Sequence, residues 1–426
     1  MSSIWHRLFL EERPSIGLSF FRIAVALTTG FHVIPSFIPI GDNYFSTAFK
    51  TLNYTFFTPQ VLDWVQKSPD GVVLFFVFFF CFFWFLFLIG LFTHISCILM
   101  TLGCYYFYAL NSFHIGTLSW DILLVTLFLM CLTPYPGDYF SVDCLRKGDP
   151  GAYKTKRPFF LQRLLQLQIA CTFFYTALYK VTAQGNWIKD NPMYYLMNYP
   201  PEGVTKLVLY KEFLAGQPQL CYALGIFIFT MEFALPFLLF IPRTRVPAII
   251  LGFIFHIFLI LTFDVPAIFF FLYPPQMLLF IHPDHLVRWV ENKRQFHQKG
   301  RQAMLLYDGK CQFCLASVRQ LAVMDMFGYL RMTDFHEVPD FKSLHPDLNK
   351  ELAAGQIHCI EPDGVMYGGF SAFRRLCFNL PMLYPMLMVV YFPGMGILGP
   401  VLYRWVAKNR YVFHFNKVCR TNACFR

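Results

Sequence analysis

Apolar residues in this chain fall in long blocks rather than in alternation, and the blocks set the architecture. Eight are long enough, or nearly so, to cross a hydrocarbon layer about 30 Å thick. They run over 16–38, 72–93, 95–111, 118–134, 159–182, 218–241, 246–263 and 265–282. Each predicts a helix, because a helix satisfies its own backbone hydrogen bonds in lipid. The second block is almost entirely Phe, Leu and Val, whereas the third and fourth are short and read as tilted, re-entrant or buried among the others. Past residue 284 the pattern changes, and 285–302 is a polar, basic linker. An apolar run at 303–307, helical spacing over 312–326, a strand at 328–334 and a strand–turn–strand pattern around 357–367 then predict a small α/β domain over 303–426. A further apolar run, 380–402, contains Pro381, Pro385, Pro393, Gly394, Gly396, Gly399 and Pro400. These predict broken helices on a membrane or against the domain, not a ninth span. The fold class is therefore a polytopic α-helical membrane domain of about eight spans over 1–284, joined to a small α/β domain.

Composition agrees. Of 426 residues, 56% are hydrophobic, 19% aromatic and only 14% charged, against about 25% charged in an ordinary soluble domain. The net charge is +10, but the cations are scattered between spans and form no groove-like patch, which excludes nucleic acid as the expected partner. Their placement predicts orientation instead. Arg7 and Arg13, the loop with Arg146, Lys147, Lys154, Lys156 and Arg157, and the Arg243-Thr244-Arg245 turn alternate with longer loops near 40–71 and 183–217 that hold fewer cations for their length. By the positive-inside rule both termini are cytoplasmic. The opening segment has no small-residue cleavage site and is interrupted by Glu11-Glu12, so the first span is expected to act as the signal anchor.

The candidate chemistry begins where the membrane part ends. Met304-Leu305-Leu306-Tyr307-Asp308-Gly309-Lys310-Cys311-Gln312-Phe313-Cys314 reads as strand, tight turn, then helix. Cys311 would stand at the helix N-terminus, where free N–H groups and the dipole favour a thiolate, with Cys314 one turn in and more buried. A dithiol–disulfide pair is the first reading. Two inert thiols, or a zinc site completed by Cys419 and Cys424, are the alternatives, and no metal is expected. The other cysteines in or beside spans, such as Cys97 and Cys104, read as packing residues.

Ionisable groups inside apolar spans need a reason to be there. Lys180, near the outer end of the fifth span, has three readings: snorkelling beside Trp187, ion pairing, or a desolvated base. Glu232 and His256 lie mid-span in successive helices and are candidates for a catalytic or proton-relay role, or for a structural hydrogen bond to each other or to Arg22. His114 and Asp121 are expected to line a cavity from the outer side, with Tyr175 and Tyr179 as its walls.

Several ordered blocks carry a resemblance. Tyr307-Asp308-Gly309-Lys310-Cys311-Gln312-Phe313-Cys314, Glu361-Pro362-Asp363-Gly364, Tyr367-Gly368-Gly369-Phe370 and the stretch from Tyr403 to Tyr411 resemble the DCC family of thiol-disulfide oxidoreductases. The resemblance implies a thioredoxin-like fold and a redox-active Cys311–Cys314 pair. Phe20-Phe21-Arg22-Ile23-Ala24, the block Asp138 to Asp143, Ala177-Leu178-Tyr179-Lys180-Val181-Thr182 followed by Trp187, Met231-Glu232-Phe233-Ala234-Leu235-Pro236, and Phe255-His256-Ile257 resemble the HTTM domain shared with vitamin K-dependent gamma-carboxylase. That resemblance implies a role for Lys180 as the base that deprotonates a hydroquinone. The function expected is a membrane redox protein that couples a quinone-type or other apolar substrate, held in a membrane cavity, to thiol–disulfide exchange, with membrane lipids and a thiol reductant as partners. A non-catalytic transport or assembly scaffold and a carboxylase-like enzyme are the alternatives.

Overall fold

The computed structural model describes residues 4–48, 50, 59–111, 118–182, 186–199, 208–262 and 272–412. Two compact units emerge, Met1–Gly137 with Lys156–Pro283, and Asp138–Thr155 with Asp284–Arg426.

The first unit is helical. Strand β1 (Glu12–Pro14) pairs antiparallel with β2 (Lys156–Pro158). Its long helices are α1 (Ile16–Val33), α2 (Asp70–Ile89), α3 (Thr93–Leu110), α4 (Leu118–Met130), α5 (Phe160–Thr182), α6 (Pro218–Phe240) and α7 (Arg245–Thr262). Among the described residues five segments are long and apolar enough to cross a membrane: Ile16–Phe37, α2, α3, α6 and α7. Five of the eight expected spans are thus found among the described residues, and the other three differ from them for identifiable reasons. Helix α4 has 13 residues, fewer than the ~20 a span needs. Helix α5 is long enough at 23 residues but carries Gln162, Arg163, Gln166, Gln168 and Lys180. The eighth expected span, 265–282, lies largely outside the described residues, and its described part holds a short helix, Tyr273–Leu278.

The glutamines on α5 have work inside the protein. Gln166 Nε2 donates to the Leu279 carbonyl at 2.8 Å, Gln168 Nε2 to Thr126 Oγ1 at 2.8 Å, and Gln276 Nε2 to the Leu165 carbonyl at 2.8 Å. Polar groups of this kind hold helices together where water is absent. Elsewhere close backbone approach serves the same end. A Cβ on Gly30 of α1 would come within 2.6 Å of the Trp84 ring, whose Nε1 donates to the Ala26 carbonyl at 2.7 Å. Helix α2 is apolar all round, so Phe75, Phe78, Phe82 and Phe85 face out of the protein, as a lipid-exposed helix requires. It stops at Gly90, whose φ of 71° supplies the left-handed cap.

The second unit starts with α8 (Pro283–Gln298), where a linker is expected. A mixed sheet of order β4-β3-β5-β6 follows. Strands β3 (Ala303–Tyr307) and β4 (Leu330–Asp334) run parallel, joined by α9 (Gln312–Met324). Strand β5 (His358–Ile360) is antiparallel to β3 and forms a hairpin with β6 (Met366–Gly368). Gly364, with φ 85°, makes the turn at the expected Asp363-Gly364. Helix α10 (Phe370–Asn379) covers one face and is tied to β5 through Glu361, which accepts from Arg375 Nε at 2.7 Å and Asn379 Nδ2 at 3.0 Å. Within 380–402 the chain breaks as its prolines and glycines predict. Segment Pro381–Val390, ending in α11 (Tyr384–Val390), meets α12 (Met395–Asn409) at 114°.

Loop 138–155 is part of this unit. Tyr139 is buried against it, Arg319 donates to the Gly148 carbonyl at 3.2 Å, and Lys154 pairs with Glu291 at 2.5 Å.

Candidate thiol redox site

Strand β3, an inner strand of the sheet, ends at Tyr307, Asp308 follows it, and the chain turns at once into α9. A side chain at Gly309 would strike the Asp334 carboxylate, with its Cβ 2.0 Å from Oδ2. Any larger residue would have to displace that carboxylate, whose Oδ1 accepts from the Gly309 N–H at 3.0 Å. Cys311 is then the N-cap of α9, its Sγ accepting from the Cys314 N–H at 3.4 Å. Both cysteines are free thiols.

The order of burial is the reverse of the expected one. Cys311 is 0% exposed, whereas Cys314 is half-buried and faces a cavity. Burial pushes the Cys314 thiol up to about 12, the adjacent Cys311 sulfur adds to the rise, and the Arg410 guanidinium opposes it. The sulfur that meets the cavity is thus held as a neutral thiol, one turn from a capping sulfur shielded from solvent.

Four residues with no assigned role in the sequence complete the site. Asp308 is 5% exposed. It accepts from the Tyr411 hydroxyl at 2.6 Å, Lys310 N–H at 3.0 Å and Arg410 Nη2 at 3.4 Å, and its Oδ1 lies 3.1 Å from His336 Nε2. Burial alone would raise the Asp308 carboxyl. The hydrogen bonds from Tyr411, Lys310 and His336, with the charge of Arg410, outweigh it and hold the group below its ordinary value. Asp308 directly precedes the Cys turn, and Arg410 and Tyr411 close the last resemblance block. That adjacency to motif residues could have marked these three, whereas His336 lies in none of the blocks and carried no such signal.

The cavity beside Cys314 has a volume of about 470 Å³. Its body is apolar, with Leu321, Met324, Phe370, Phe373, Leu402 and Val406 among its walls, and Cys314, Asp308 and Arg410 also line it. Helix α12 closes it because Gly399 lets the backbone meet the Phe370 ring, where a Cβ would sit at 2.2 Å.

The sequence-nominated groups of the membrane unit are also brought together in part. Lys180 Nζ lies 2.7 Å from Glu232 Oε2, with side chains 17% and 11% exposed, and 5.1 Å from the centre of the Trp187 ring. His256 is buried, its Nδ1 is 2.7 Å from the Gly252 carbonyl, and its ring packs against Phe173, Phe255 and Tyr273. Tyr175 and Tyr179 stack on one another and are 57% and 59% exposed, on the outer surface of α5 rather than in the wall of an enclosed space. His114 and the side chain of Asp121 lie outside the described residues, as do Cys419 and Cys424. Among the described residues no three His, Cys, Asp or Glu side chains gather as metal ligands.

Comparison with known proteins agrees with both halves. Residues 12–285 match the HTTM domain and residues 305–415 match the DCC1-like thiol-disulfide oxidoreductase domain. An uncharacterised chloroplastic protein of Arabidopsis thaliana is 27% identical over 128 residues, which cover 30% of this chain and 59% of that relative. No solved structure matches the chain. The match over more than half its length shows that this chain belongs to the HTTM domain family, with a DCC1-like thiol-disulfide oxidoreductase domain following the membrane helices.

Proposed function

We propose that the protein is a membrane-bound thiol–disulfide oxidoreductase acting on a lipid-soluble, quinone-type substrate. One observation carries the reading: the Cys311–Cys314 dithiol caps α9 and Cys314 opens onto an apolar cavity. Apolar surroundings at the sulfur that meets the cavity suit a lipid-soluble partner. The cations of loop 138–155, within the same unit as the dithiol, support a cytoplasmic face, where a reducing environment keeps the pair as a resting dithiol between turnovers.

The base role for Lys180 carries less. Its ion pair with Glu232 neutralises two buried charges, which is reason enough for both residues. Proton abstraction by Lys180 would first require that pair to separate.

The reading is tested on the full-length protein equilibrated in glutathione redox buffers. The expected result is a two-thiol transition that disappears in both Cys311→Ser and Cys314→Ser, together with a quinone in the lipid extract of the purified protein. Two thiols that never oxidise across the series would leave the scaffold alternative standing.

A further inference from the structure

The cavity at Cys314 has an apolar body and a polar end, and the polar end is incomplete. Arg410 is held by Nη2, which donates to the Ala354 carbonyl at 2.7 Å and to Asp308 at 3.4 Å. Its Nε is buried and has no hydrogen-bond partner, while the residue lines the cavity. A buried donor left unpaired costs roughly 1–3 kcal/mol, so an acceptor oxygen on a bound molecule is the natural complement. The rest of the wall is hydrocarbon and aromatic, which suits a tail or ring without polar groups. The outer surface of α12, one wall of the cavity, is apolar as well: Ile397 is 81% exposed, Trp405 60% and Leu398 52%. Together with the 114° bend before it, this gives the unit a wedge suited to the bilayer interface, where a lipid-soluble molecule resides.

We propose that this cavity is the site at which a hydrocarbon-tailed quinone meets the dithiol, its carbonyl accepting from the Arg410 guanidinium at the polar end and its tail lying among Leu321, Met324, Phe370, Phe373 and Leu402. The proposal rests on the redox reading of Cys311 and Cys314 and moves the substrate from the membrane unit to the thiol domain. The reaction balances without a further reagent. The S–H bonds of Cys311 and Cys314 break and one S–S bond forms, while two electrons and two protons pass to the quinone oxygens and give the hydroquinone. A thiol reductant then restores the dithiol.

The test uses reduced full-length protein in detergent and two benzoquinones with the same ring, one bearing a decyl tail and one without it. The proposal expects two thiols lost per quinone reduced. It also expects the tail to raise the rate at least about ten-fold, the equivalent of burying two methylenes. Leu402→Trp and, as a second variant, Val406→Phe fill the cavity and should shrink the tail advantage to less than about two-fold on the same scale. The readout is a ratio within one sample, so a partly misfolded variant does not imitate the effect, and tail partitioning into micelles cancels against wild type. A tail advantage that persists in both variants overturns the proposal. So does decanoate protection of Cys314 from alkylation without any quinone reduction, which would mark a fatty-acid site. If wild-type protein oxidises with neither quinone nor a water-soluble disulfide, the redox reading falls first. Oxidation by the disulfide alone removes only the quinone site.

Discussion

At the scale of single residues, Asp308 governs the turn that carries the thiols. It receives Tyr411, Lys310, Arg410 and His336, and so ties the start of α9 to the end of α12. Its carboxyl is held below the ordinary value of about 3.9, so its contribution to stability is present above about pH 4 and is lost as pH falls through the lower folded-state value. Asp308→Asn should destabilise β3 and α9 by about 2 kcal/mol at neutral pH. The gap from wild type should close as the solution is acidified below about pH 4. Hydrogen exchange across 303–324 in the full-length protein measures it, and a gap that does not change with pH would show that charge is not what Asp308 supplies.

Between elements, α5 and α6 are joined by an ionic contact where apolar packing is the rule. Lys180 and Glu232 lie on adjacent helices with both side chains largely buried. Removing one partner leaves the other charge stranded, at a cost of about 3–5 kcal/mol, whereas replacing both with apolar residues is often nearly neutral. Lys180→Met should therefore lower thermal stability in detergent sharply, and Lys180→Met with Glu232→Leu should recover most of it. A Lys180→Met protein of full stability that fails only in turnover would return the lysine to the role of base.

For the whole molecule, two pairings constrain the topology. Strands β1 and β2 place residues 12–14 beside 156–158, so an even number of crossings separates them. Three of the five long apolar helices fall in that interval, an odd number, so α4, although too short to be counted by length alone, is expected to complete it. Loop 138–155 leads directly into β2 and belongs to the unit that resumes at Asp284, so an even number also separates residue 158 from Asp284. The N-terminus, loop 138–155 and the thiol domain are thereby expected on one face. Single cysteines introduced at exposed Lys147 and at exposed Met388, in a background without other reactive thiols, should label from the same side of sealed vesicles. Labelling from opposite sides would break this topology.

The sequence by itself determined whatever depends on near neighbours. An unbroken Phe/Leu/Val block becomes the lipid-facing α2, and an apolar run ending in Asp308-Gly309 becomes strand, turn and a helix capped by Cys311. Asp363-Gly364 becomes the hairpin turn, and clustered Pro and Gly become the bend between α11 and α12. Each is a local backbone preference, readable within a few residues. Tertiary structure alone decided what comes from far along the chain. Tyr411 reaches Asp308 across 103 residues, and Lys180 reaches Glu232 across 52. Loop 138–155 joins the thiol domain rather than standing as a membrane loop. Which sulfur is shielded and which faces a cavity also lay beyond the motif. A helix N-terminus makes both cysteines available, but α12, packed through Gly399 onto Phe370, creates the space on the Cys314 side. Burial is a property of the assembled walls, and no spacing of two cysteines encodes it.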